Sequence, residues 1–110
     1  MVGSVPDHGE LAAQITHAYE RLVTTRRALV MAADALSEHE RHLKVANADA
    51  LLEAKNERTA TLYLEGLLDT PEHSALLTEK SRAELAHYEA RSEVARLELL
   101  VRLLEASARD

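Results

Sequence analysis

Ile15, Leu22, Leu29, Leu36 and Leu43 recur at every seventh residue. A seven-residue apolar repeat lets one helix lay a continuous seam on another. No Gly or Pro lies between Gly9 and Gly66, so no strong helix breaker interrupts that stretch. One reversal signal follows, Asp69-Thr70-Pro71-Glu72. Thr70 or Asp69 suits an N-cap, and Pro71 the first helical position. The pattern predicts an all-α chain: a long antiparallel helical hairpin, coiled-coil-like and expected to be oligomeric. Its first helix would run over about 10–66, its turn over 67–70 and its second helix over about 71–108. Residues 1–9 read as a flexible tail in which Asp7 and Glu10 have capping-box spacing.

Composition narrows the classes. The 110 residues suffice for one domain. Cysteine is absent, so no disulfide scaffold or thiol chemistry exists. Three Gly and two Pro leave little for tight turns, against a β-rich fold. The aromatics are Tyr19, Tyr63 and Tyr88 alone, so a core must come from Leu, Val and Ala. A net charge of −6 disfavours a general electrostatic grip on nucleic acid or an anionic membrane. No membrane segment or signal peptide is read, which gives a cytoplasmic expectation.

The seam positions interleave. Leu11, Ala18, Thr25, Ala32, His39 and Ala46 alternate with the leucine stripe, and Ala83, Ala90, Leu97 and Leu104 alternate with His87, Val94 and Val101. Folding at Asp69–Pro71 would place opposite each other residues whose numbers sum to about 140. That register pairs Leu64 with Leu76, Ala50 with Ala90, Leu43 with Leu97 and Leu36 with Leu104. Ser37-Glu38-His39-Glu40 also has capping-box spacing; a break there would give a three-helix bundle instead.

In the expected register the second helix ends opposite residue 32 or so, and the stripe through Leu11, Ile15, Leu22 and Leu29 runs on without cover. Leu99, Leu100 and Leu103 widen the apolar arc of the second helix. These seven residues are the candidate oligomer interface, because a large uncovered apolar surface marks an interaction site.

Three polar groupings remain. The expected register sets Glu53 and Glu57 across from Glu84 and His87, and Glu84-Leu85-Ala86-His87 is an E-x-x-H as used by helical-bundle di-iron sites. In this respect the chain resembles ferritins built from two-helix hairpins, which would imply a metal site at Glu53, Glu57, Glu84 and His87. The competing reading is a polar layer that sets register. His39 and His42 lie in a local EHERH run that reads mainly as a solvated face, with His39 in the seam. Arg21, Arg26 and Arg27 form the one basic stretch; phosphate contact competes there with interhelical ion pairing. No nucleophile–base pattern, phosphate loop or cofactor motif is present, so an enzyme is not expected.

From Asn56 the run NERTATLYLEGLLDTPEH, followed by a helix carrying Glu93, Arg96, Glu98 and Arg102, resembles small helical-hairpin proteins of phage and prophage DNA-metabolism operons, with the layout of recombination mediators. The resemblance implies a homo-oligomeric accessory factor in DNA recombination or replication that works through a protein partner. From the residues alone, the expected function is a non-enzymatic interaction or assembly module that forms a dimer or higher homo-oligomer with a protein partner.

Overall fold

The computed structural model describes residues 7–109. Four helices, α1 (His8–Ala46), α2 (Ala48–Leu52), α3 (Glu57–Leu68) and α4 (Pro71–Arg109), follow one another, with no strand among the described residues. The chain is an all-α hairpin in which α1 and α4, of 39 residues each, pack along their length. The molecule extends over 72 × 24 × 21 Å. No described helix is long and apolar enough to cross a membrane.

Helix ends follow local chemistry. The Asp7 carboxylate accepts from the Glu10 amide at 2.7 Å and starts α1. Residue 7 therefore already belongs to the helix start, while residues 1–6 of the expected tail lie outside the described residues. The Thr70 hydroxyl accepts from the His73 amide at 3.1 Å, and Pro71 opens α4. Helix α1 passes through Ser37–Glu40 without a break.

The expected single helix over 10–66 is three helices. The first break is at Asn47, whose Nδ2 donates to the Leu43 carbonyl at 2.8 Å. A short amide side chain that bonds local backbone competes with the helix ladder. The second is at Asn56, which is extended (φ −159°, ψ 172°) and caps α3 by accepting from the Thr59 amide at 2.9 Å and its hydroxyl at 3.1 Å. The Tyr63 hydroxyl donates to Asn47 Oδ1 at 3.4 Å, tying α3 back to the end of α1. Gly66, expected to help end the first helix, is inside α3, which stops at Leu68.

These breaks change the pairing. Thr25 lies across from His87 and His39 from His73, numbers that sum to about 112 rather than 140. The two registers differ by about four seven-residue repeats, so the same seam positions face inward in both. Ala18, Val94 and Leu97 form the densest cluster, with Leu11, Ile15 and Leu22 packed against it. The stripe expected to outrun the hairpin is thus covered by α4 of the same chain.

Among the described residues the buried side chains are Ala18, Ala32, Leu36, Ala83, Ala90, Val94 and Leu97. Four are alanines, which bring the helix axes close but bury little area. A full leucine burial contributes about 1.5–3 kcal/mol and an alanine much less, so the seam is a slender core.

Asn56→Ala separates the observed break from a continuous helix. At an N-cap the change should destabilise the protein by about 1 kcal/mol. In a helix interior it would stabilise by a few tenths of a kcal/mol, roughly, because Ala is the better helix former. Urea unfolding followed by circular dichroism reads the sign.

Candidate functional site

Two polar layers interrupt the seam. In one, His87 Nδ1 lies 3.4 Å from Thr25 Oγ1. The Thr25 hydroxyl donates to the Arg21 carbonyl at 2.7 Å within its own helix. In the other, the rings of His39 and His73 stack with centroids 5.8 Å apart and an interplanar angle of 24°. His39 Nδ1 is 3.7 Å from Glu72 Oε1, while His39 Nε2 and His73 Nδ1 are buried without a partner.

The expected metal constellation is not assembled. Glu53 caps the end of α2, Glu57 begins α3, and Glu84 and His87 lie midway along α4, where His87 meets Thr25. The register that would have joined them is displaced by the Asn47 and Asn56 breaks. Among the described residues no three His, Asp or Glu side chains are grouped to hold a metal ion. His42 is exposed on α1, while His39 is half-buried in the seam as expected.

The arginines separate. Arg21 lies close enough to Glu93 to help hold its carboxyl below the usual range; the larger cause is a two-pronged hydrogen bond from Arg96 at 2.7 and 3.0 Å. This favours ion pairing with α4 over phosphate contact for Arg21. Arg26 shares a shallow cleft with Leu22, His87 and Arg91, whereas Arg27 borders a groove with Tyr19 and Val23. The expected basic stretch is not one patch.

Of the expected interface residues, Leu11, Ile15 and Leu22 are half-buried against the seam cluster and Leu29 is half-buried in α1. Their need for a second chain was a consequence of the wrong register. Leu99 and Leu103 are exposed on α4 and Leu100 is half-buried.

A feature not anticipated from the sequence is the trough at the free end of the hairpin. Ile15, Ala18 and Tyr19 from α1 meet Val94, Leu97 and Val101 from α4 around a cleft of about 280 Å³. It runs on past Tyr19 to Val23 and Arg27, and past Val101 to Leu11 and Leu104. The Tyr19 hydroxyl donates to Glu98 Oε1 at 2.6 Å across the trough. That bond, then the charge of Glu98, then burial, raise the Tyr19 pKa above its ordinary 10.0. Tyr19 could have been found from its place one residue beyond the seam position Ala18, had the register been known.

No protein-family model, curated protein or solved structure matches the chain.

Replacing His39 and His73 together with Leu should raise stability by about 1–3 kcal/mol, because two buried unpartnered ring nitrogens are removed. Thermal or urea unfolding measures this, and a drop would show that the histidines are held by interactions beyond the stack. Tyr19 supplies a pH test. Its folded pKa is raised, so its contribution is fully present below pH 10.0 and is lost as pH rises through the folded value. Spectrophotometric titration should show Tyr19 ionising above its ordinary value, and Glu98→Ala should lower its midpoint.

Proposed function

We propose that this chain is a non-catalytic assembly module whose working form is a homo-oligomer. One observation carries the reading: the hairpin exposes far more surface than a self-sufficient chain of its mass. Its accessible surface is 8596 Å². A compact monomer of 12.2 kDa would expose about 6,100 Å². The excess, about 2,500 Å² per chain, is of the size that permanent interfaces cover. The radius of gyration is 22.6 Å, against about 13 Å for a compact domain of this length.

The character of that surface supports the same reading. Among the described residues thirteen large apolar side chains are exposed, among them Tyr19, Val23, Val30, Leu85, Tyr88, Leu99 and Leu103, while Leu36, Val94 and Leu97 are the only ones larger than Ala in the buried core. Scattered apolar residues are ordinary on any surface, but a slender core beside this many exposed ones favours burial in an assembly. The clefts are open grooves on a rod, better suited to a helix than to a small substrate. The accessory role in DNA recombination or replication implied by the phage-protein resemblance would use the same assembly through a protein partner.

Light scattering in solution should give a mass that is a multiple of 12.2 kDa at micromolar concentration. The melting temperature should rise with protein concentration, since association stabilises the folded state by mass action. A single-chain mass with a concentration-independent melting temperature would overturn the reading.

A further inference from the structure

We propose that the cleft between Arg26 and Arg91 is a phosphate site, which takes the dianion of free phosphate or of a small phosphomonoester. All of its groups come from one hairpin, so the inference stands apart from the assembly reading.

The seven-residue repeat puts the two arginines together. Tyr19 and Glu98 flank the seam on one side and touch there, hydroxyl to carboxylate, at 2.6 Å. Arg26 is seven residues after Tyr19, and Arg91 is seven before Glu98. Both steps lead toward the middle of the hairpin, so the same pair of flanking positions recurs with a guanidinium on each helix. A cleft of about 230 Å³ results, lined by Leu22, Arg26, His87 and Arg91. Leu22 and His87 are half-buried seam residues and make its floor, while both arginines are exposed and make its walls.

No carboxylate of the chain neutralises this pair. Arg41 and Arg96 each bond a glutamate three residues away on the same helix. Three and four residues from Arg26 stand Leu22, Val23, Leu29 and Val30, and from Arg91 stand His87, Tyr88, Val94 and Ala95. Glu89 and Glu93, two residues from Arg91, sit on other faces of α4, and Glu93 is held by Arg96. Glu98 is engaged by Tyr19, and Glu84 lies one repeat beyond Arg91, outside the cleft lining. Among the described residues the ion pairs are His39–Glu72, Arg41–Glu38 and Arg96–Glu93, so neither Arg26 nor Arg91 enters one. Two like charges facing each other across a seam repel, and a bound anion relieves that repulsion.

The donor set selects the anion. Two guanidinium forks carry two fixed charges and bind pairs of oxygens. A terminal phosphate group brings about two charges near pH 7 and a tetrahedron of oxygens to share between the forks. A carboxylate or a phosphodiester brings one charge only.

Titration of the full chain with sodium phosphate at constant ionic strength, followed through the imidazole resonances of His87, tests the site. The shifts should saturate with a millimolar dissociation constant. Arg26→Gln or Arg91→Gln should weaken binding about tenfold, and the double variant should lose it. Both positions are exposed, and circular dichroism checks that each variant stays helical. Phosphate that shifts wild type and double variant alike would overturn the site. Acetate binding as tightly as phosphate would overturn the dianion. A single-stranded oligonucleotide without a terminal phosphate, bound more tightly than phosphate through both arginines, would replace the site with a nucleic-acid backbone contact. Phosphoserine as a second probe separates the sources: binding equal to phosphate supports a phosphomonoester, and binding of phosphate alone supports the free ion. In phosphate-free buffer each single variant should melt no lower than wild type, because it removes a like-charge contact. A lower melting temperature would show that bonds within the protein hold the guanidiniums, and would overturn the proposal.

Discussion

Two seven-residue seams can pair at many slips with apolar side chains still facing inward, and the register of α1 on α4 is what every other feature depends on. Polar residues within the seams break the degeneracy. In the observed register Thr25 meets His87 and His39 meets His73, so each polar side chain is level with another. One repeat away in either direction, Thr25 would be level with Val94 or Lys80, and His87 with Ala32 or Ala18. Half-buried His87 against an aliphatic partner would lose its bond to Thr25, at a cost of about 1–3 kcal/mol, and His39 and His73 would lose their stacked partner. Large and small residues also match: Leu22 is level with Ala90 and Leu29 with Ala83. The same match gives the helices a close approach without crowding.

The register in turn requires arms of equal length, and the connection supplies them. The local amide bonds of Asn47 end α1 as a 39-residue arm, and Asn56 restarts the chain as α3. Residues 47–70 then fold into a small cap of two short helices at the turn end, held by Tyr63 on Asn47. Without those two asparagines the first arm would run some twenty residues past its partner's reach. The cap is the reason that Leu11 and Ile15 find α4 of their own chain and not solvent.

The resulting rod buries its seam and little else. Alanine-rich contact gives close packing at low area, so the energetic yield of the hairpin is small for its length. A surface excess of this kind is what the proposed assembly would cover. The free-end trough is where that flank is most concave, and where both helices contribute apolar walls and a rim of both charge signs.

Which side chains face the seam was legible in the sequence, because helical periodicity acts within one segment and needs no knowledge of the partner. The stripes through Leu11–Leu43 and Ala83–Leu104, the Asp7 and Thr70 caps and the turn before Pro71 all follow from local spacing. The register, and with it the fate of His87, Glu53, Glu57 and the arginines, was not legible. It depended on two Asn breaks that compete weakly with helix propensity, and on matching polar layers between segments distant in sequence. Periodicity repeats every seven residues and so carries no information about slip. Only the tertiary pairing of α1 with α4 turned two identical-looking seams into one alignment, and only that alignment created the trough around Tyr19 and Glu98.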